Sequence, residues 1–288
     1  MKQRESKVRH DVGLAPVENA AEPSALTAGY AGLQDEAQEV ARRFFGNREG
    51  KVAAFTGRVI DTCARAQGKD FLLIHNPGGW GNRTFEQCLD WERSLVNGVS
   101  AAIERLGYDQ LMIQYLRSGM GWGEWLRDIR DQLRFFAAKA KIMAAELELV
   151  TRHLDDLKVI LIGVSQGAAF ANAVMRQLDG HHRVYSIELG MFFFHLSRRV
   201  VTERTLSMDS NGSEPDAAVR RDMLPVFRAY AAAPVRWAGL LLKGRPVRFT
   251  YCVNVRGHNY DWGYPEVQKQ VTDFLRANFG TANPANQG

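Results

Sequence analysis

Cysteine is scarce in this chain. Cys63, Cys88 and Cys252 are the only three in 288 residues, and no C-x-x-C spacing occurs. An odd, widely spaced set of this kind argues against a disulfide-stapled scaffold or a zinc module and makes a reducing cytoplasm the expected compartment. Long apolar runs are missing too. None approaches the ~20 residues that a membrane-spanning helix needs, so no integral membrane segment is expected. The first ten residues, MKQRESKVRH, are charged and no apolar stretch follows them, so no secretory leader is expected either. Neither sign of charge dominates. The formal net charge is +5, and basic residues such as Arg42, Arg43, Arg198, Arg199, Arg220 and Arg221 are dispersed. That surplus reads as a solvated surface, and no nucleic-acid partner is expected. Nor does a metal or nucleotide motif occur. There is no His-Glu-x-x-His, neighbouring His181 and His182 are poorly placed to share one ion, and Gly119-Met-Gly121-Trp-Gly123 is followed by Glu124, which spoils a dinucleotide fingerprint. Neither a metal nor a cofactor is expected.

What is present is an ordinary globular composition, 45% hydrophobic and 24% charged, over a length that suits one decorated domain. Residues 1–34 are polar and aperiodic and read as a mobile arm; 35–67 are helical, with Gly46 and Gly50 as interruptions. From there short apolar runs alternate with helical stretches. Strands are expected at 71–75, 111–116, 158–164, 183–189, 204–208 and 247–255. Helices are expected at about 84–106, across 124–154 with room for a break near its middle, at 168–178, as an excursion at about 218–245, and at 265–279 before a short tail, 281–288. This alternation predicts an α/β domain over 68–280, a doubly wound, mainly parallel sheet with helices on both faces. The chemistry of such sheets gathers at the carboxyl ends of the strands.

The turn after the third strand reads Gly163-Val164-Ser165-Gln166-Gly167, then Ala-Ala. A serine in a sharp strand-to-helix turn needs small neighbours two residues away on each side, and the helix that follows brings its positive end beside the hydroxyl. Strand, motif and helix together mark Ser165 as a candidate nucleophile. With this turn on the page, the chain resembles the α/β-hydrolase family over roughly residues 68–280. The order is similar: a strand with a loop at His75–Gly81, a second strand, the serine turn, then a late acid and a later histidine. Ser-Gln-Gly is common among esterases and lipases of that family.

A serine hydroxyl needs a base. His10 lies in the arm, His153, His181 and His182 fall at the wrong edge of the sheet, and His195 follows three phenylalanines. His258, in Arg-Gly-His-Asn-Tyr-Asp-Trp between the sixth strand and the closing helix, is at the right edge, where the family carries its histidine. The family order places the acid between 165 and 258. Asp216, four residues after Gly212, resembles the family's turn, although 42 residues then separate it from His258; Glu188 is the alternative and Asp209 the third choice. The resemblance also implies an oxyanion site made by the Gln166 N–H and a donor from the His75–Gly81 loop. Pro77 has no N–H to give, so Asn76, Gly78 and Gly79 remain candidates, with His75 bracing the loop.

Trp80, Trp122, Trp125, Tyr260 and Trp262 fall in loops at the same edge, and Trp80, Trp122, Tyr260 and Trp262 are candidates to line an apolar substrate pocket. Residues 218–245 read as a helix that either covers the site or simply packs. The reading this supports is a serine hydrolase acting on a small-molecule ester or thioester through an acyl-enzyme on Ser165. A non-catalytic acyl- or small-molecule-binding protein on the same fold, or an acyltransferase, remains the alternative. Neither the oligomeric state nor the acyl chain length is legible.

Overall fold

Strands buried on both faces are written as unbroken apolar runs, and the two central ones here are of that kind. In β1 (Phe71–Asn76) all six residues are buried, and in β3 (Lys158–Val164) all but the first. The computed structural model describes residues 31–119, 122–244, 247 and 249–280, without the side chains of 31, 122–127 and 250. Its sheet has five strands, adding β2 (Gln110–Gln114), β4 (Val184–Leu189) and β5 (Thr205–Met208), in the order β2-β1-β3-β4-β5. Every pairing is parallel.

The pleat sends alternate side chains to opposite faces, and each face finds its own helices. Leu72, Ile74, Val159 and Leu161 pack against α1 (Ala31–Phe45), α2 (Glu49–Ala66), α5 (Ala137–His153) and α6 (Gln166–Met175). Phe71, Leu73, Ile160 and Ile162 pack against α3 (Asp90–Arg105) and α8 (Pro265–Phe279). Two further helices are α4 (Trp122–Leu133) and α7 (Met223–Leu242). The helical stretch expected across 124–154 is broken near its middle, into α4 and α5. Phe135 and Phe136 between them sit at positive φ (53° and 56°), which no continuous helix allows.

Several expected boundaries move. Residues 31–34 belong to α1 and not to an arm, while 1–30 and 281–288 lie outside the described residues. The helical segment that follows divides at Gly46, where φ is +58°. The stretch expected to be helical from 84 begins with a separate 3₁₀ turn, Phe85–Gln87. The expected sixth strand is absent from the described part of 247–255, and Phe249–Cys252 forms a 3₁₀ turn. Its polar groups are taken elsewhere: the Trp237 indole N–H donates to the Val247 carbonyl, Arg236 to that of Cys252, and the Tyr251 hydroxyl to the carbonyls of Gln87 and Cys88. An alternating apolar segment can satisfy a helix flank as well as a sheet edge, and here α7 takes it.

Strand order reverses direction between β1 and β3. The loop after β1 departs toward α3 on one face, the turn after β3 toward α6 on the other, and a crevice opens where they part. The strands remain paired up to that point, with Asn76 opposite Gly163. The approach of α6 is very close. A Cβ on Gly163 would lie 2.5 Å from the Gly167 carbonyl oxygen, and one on Gly167 would lie 2.0 Å from the Asn76 carbonyl oxygen. Both obstacles are backbone atoms that cannot swing aside. Gly167→Ala is therefore expected to destabilise the fold by roughly 3 kcal/mol, the upper end for overpacking. A urea midpoint equal to the parent's would contradict this packing.

Candidate active site

Ser165 sits at the crevice in a conformation that L-residues rarely adopt, φ 54° and ψ −114°. A non-glycine residue held there costs on the order of 1–3 kcal/mol and persists only when its surroundings impose it. Two backbone bonds do so. The Ser165 N–H donates to the Leu189 carbonyl at 2.8 Å, and the Ser165 carbonyl accepts from Ala169 at 3.1 Å, committing the chain to α6. The serine side chain makes no capping bond to the helix. Gln166 is the first helical residue, so its N–H has no intrahelical acceptor and points out of the positive end of α6. The Gln166 side chain is held by a reciprocal pair of amide bonds with Gln132, at 2.9 and 3.0 Å.

His258 and Asp216 are brought together from positions far apart in sequence. His258 Nδ1 lies 2.7 Å from Asp216 Oδ2. The same oxygen accepts the Tyr260 hydroxyl at 2.8 Å, and Oδ1 accepts the Ala218 N–H at 2.8 Å. Asp216 is fully buried, while His258 keeps 16% of its side chain exposed. Burial alone would push the Asp216 carboxyl up. The hydrogen bond and charge of His258, with the Tyr260 hydroxyl and the Ala218 amide, outweigh it and hold the group below its ordinary 3.8. Glycines allow this assembly. A Cβ on Gly257 would lie 2.2 Å from the Pro215 carbonyl oxygen; one on Gly190 would lie 2.6 Å from Asp216 Oδ2 and 2.9 Å from His258 Cε1. Gly190 directly follows Leu189, whose carbonyl holds the Ser165 N–H, so the serine turn and the histidine–aspartate pair converge on one stretch of backbone.

The alternative acid is committed elsewhere. Glu188 is fully buried, and its carboxylate accepts from Asn172 Nδ2 at 3.1 and 2.9 Å and from Ser186 Oγ at 2.9 Å. Burial, only partly offset by these donors, pushes its pKa up to about 8. Asp209, the third choice, pairs with Arg199 at 2.7 Å.

The loop after β1 is built around two residues that sequence reading did not single out. Arg117 is fully buried, donates to the carbonyls of Pro77 (2.7 Å) and Gly79 (2.8 Å), and lies within 6 Å of the ring centres of both Phe136 (5.7 Å) and Phe170 (5.9 Å). Desolvation lowers its pKa to about 10. Gly81 makes room for it, since a Cβ there would lie 2.6 Å from the guanidinium carbon. Glu92 of α3 accepts the Gly78 N–H at 2.9 Å and lies 3.1 Å from His75 Nε2. His75 Nδ1 faces the amide donor of Gln114 at 3.3 Å, so Nε2 carries the proton that goes to Glu92. Among the three oxyanion candidates of this loop, Gly78 has thus given its N–H to Glu92, and the Asn76 side-chain amide turns back to the Ile74 carbonyl at 3.4 Å. Gly79, at φ +59°, is the remaining one. No described residue takes its N–H.

The expected pocket aromatics take different places. Tyr260 is fully buried against Asp216 and offers no surface to a substrate. Trp262 packs on α3 at Gly98, where an added Cβ would lie 2.0 Å from the indole. Trp80 is half-buried, and the side chains of Trp122 and Trp125 lie outside the described residues. Trp91, which the sequence did not suggest, stands edge-on to the His258 ring at 6.5 Å. A cavity of about 780 Å³ is lined by Gly257, Asn259 and α7 residues such as Arg228 and Ala232.

His75, Cys88 and Glu92 offer ligand atoms within 4.8 Å of one another. Their chemistry does not fit an ion. Glu92 is already shared by His75 and Gly78, and burial pushes the Cys88 thiol up to about 12, away from the thiolate a metal would bind. Compared with protein-family models and with curated proteins, the chain matches none. The functional reading therefore rests on the site itself.

The buried carboxyls of Asp216 and Glu188 give opposite pH dependences. Asp216 has a folded pKa below its unfolded one, so its stabilisation is present above the ordinary 3.8 and is lost as pH falls further. Glu188 has a folded pKa above its unfolded one, so its contribution is present below 4.5 and is lost as pH rises toward about 8. Urea midpoints of Asp216→Asn should accordingly lose part of the acid-side slope. Those of Glu188→Gln should lose part of the alkaline-side slope and match or exceed the parent above that window.

Proposed function

We propose that the chain is a serine hydrolase of the α/β-hydrolase family, acting on a small-molecule ester or thioester. The observation that carries this reading is the 2.7 Å contact between His258 Nδ1 and Asp216 Oδ2, assembled beside the strained turn of Ser165. An imidazole whose Nδ1–H is bound by a carboxylate presents Nε2 as a base, the arrangement that activates a serine hydroxyl. Ser165 attacks the acyl carbonyl, and His258 takes its proton and returns it to the departing alcohol or thiol. The Gln166 N–H, at the positive end of α6, and the Gly79 N–H steady the oxyanion. Water, deprotonated by His258, then attacks the acyl-enzyme, releasing the acid and restoring Ser165. Asp216 orients the ring throughout, and Tyr260 orients Asp216.

No step in this scheme calls for a cofactor. The cysteines are free and buried, which suits a reducing compartment, and we place the activity in the cytoplasm. An acyltransferase would use the same acyl-enzyme with an alcohol or amine replacing water, and product analysis with added alcohol separates the two.

A fluorophosphonate probe is expected to label the protein and not Ser165→Ala. Turnover of a p-nitrophenyl acyl ester is expected to fall by about 10⁶ in Ser165→Ala or His258→Ala and by about 10⁴ in Asp216→Asn, where the ring loses its orientation. In Glu188→Gln turnover should stay near the parent's. A folded protein that neither reacts with the probe nor turns over the ester would favour a binding protein on the same scaffold.

A further inference from the structure

Helix α7 carries a stripe of apolar side chains that nothing in the chain's described residues covers. Leu224, Phe227, Ala231, Val235, Ala238 and Leu242 recur every three or four residues and so share one face, and all are exposed; Phe227 is 66% exposed, Val235 76% and Leu242 89%. Tyr230, Trp237 and Leu241 extend the stripe along one flank, each also exposed. The opposite face, with Val226, Ala229 and Ala233, is the one buried on the domain. A single exposed leucine needs no explanation; a contiguous apolar face along a 20-residue helix does.

Charge identifies the occupant. Residues 223–242 contain no aspartate or glutamate, and their only charged side chains are Arg228 and Arg236, both exposed. Arg220 and Arg221 precede the helix, with Asp222 as the one acid at its N-cap, and Lys243 follows it. A second copy of the chain docked on this face would set these cations against cations of the other copy across a two-fold axis. An acidic bilayer surface offers an apolar boundary for the stripe and anionic headgroups for the flanking cations, with tyrosine and tryptophan at the level where such rings settle. No helix among the described residues is long and apolar enough to cross a membrane. We propose that α7 lies in the surface of an anionic lipid membrane, its Leu224–Leu242 stripe inserted, docking the domain peripherally. The helix begins seven residues after Asp216, so docking would bring the candidate site to the lipid surface.

The test is flotation of the full chain with vesicles of phosphatidylcholine alone and of phosphatidylcholine mixed with phosphatidylglycerol. The chain should float with the mixed vesicles, less at high salt, and only weakly with the neutral ones. Phe227→Ser with Leu242→Ser should lower the partition coefficient about tenfold or more. Arg228→Gln should lower binding to the mixed vesicles about fivefold, with little change for neutral ones. Because these side chains are exposed, the variants should keep the parent's circular-dichroism melting curve, which separates lost docking from lost folding. The proposal is overturned if the chain floats with neither vesicle, or if the apolar pair of substitutions leaves flotation unchanged. It is equally overturned if sedimentation equilibrium shows a dimer that Phe227→Ser dissociates. The readout is binding alone, so it stands or falls separately from the chemistry at Ser165.

Discussion

The contact between Gly167 and the Asn76 carbonyl governs the geometry around it. With no side chain at 163 or 167, α6 can press against the ends of β1 and β3 closely enough that its first turn touches the backbone of the loop after β1. That approach fixes the direction in which Ser165 leaves the strand and gives the serine its positive φ. It also sets the positive end of the helix at the point where the two central strands separate. Bulk at either glycine would displace the helix, and with it the Gln166 N–H and the serine hydroxyl. The strain at Ser165 is sustained by the sheet on one side, through Leu189, and by the helix on the other, through Ala169.

Around this point the protein buries charge, and each buried charge is tied to backbone or to a partner. Arg117 holds two carbonyls of the Pro77–Gly79 segment, Glu92 holds an amide of the same segment, and Asp216 holds both the ring of His258 and the amide of Ala218. Isolated ions would be expensive in such places. Here they replace the hydrogen bonds that irregular backbone cannot make with itself, so loops lacking regular structure are held almost as firmly as strands. Glu188 differs in that its partners are neutral, and it correspondingly favours its protonated form.

The long excursion between β5 and α8 links the site to the surface of the molecule. It begins with the turn that supplies Asp216, runs through α7, returns past Tyr251, which bonds to the carbonyls of Gln87 and Cys88, and ends with His258 and Tyr260. The acid and the base thus bracket the helix that exposes the apolar stripe. Any force on α7 acts on a segment whose two ends meet at the hydrogen bond between His258 and Asp216.

Much of the core was legible because its signals are local. Apolar runs marked all five strands of the sheet, and amphipathic spacing marked α8. Small residues around Ser165 marked the turn, for a reason the structure makes explicit in the 2.0 and 2.5 Å clearances. The segment at 247–255 misled because alternation records only that one side of a segment is apolar, and a helix flank satisfies that as well as a sheet edge. The roles of Arg117, Glu92 and Gly190 left no local trace, since each acts on residues distant in sequence. Tyr260 looked like a pocket aromatic because an aromatic in a loop carries no mark of which way it faces.

Residue order by itself determined the alternation of strands and helices, the position of the serine turn, and the edge of the sheet at which His258 and Asp216 would emerge. Tertiary structure alone decided that Asp216 rather than Glu188 meets the histidine, that Gly78 spends its N–H on Glu92, and that one face of α7 stays uncovered. The physical reason is range. Backbone preference and hydrophobic periodicity act within a few residues, whereas hydrogen-bond partnership and burial depend on which distant segments the packed sheet brings within about 3 Å of one another.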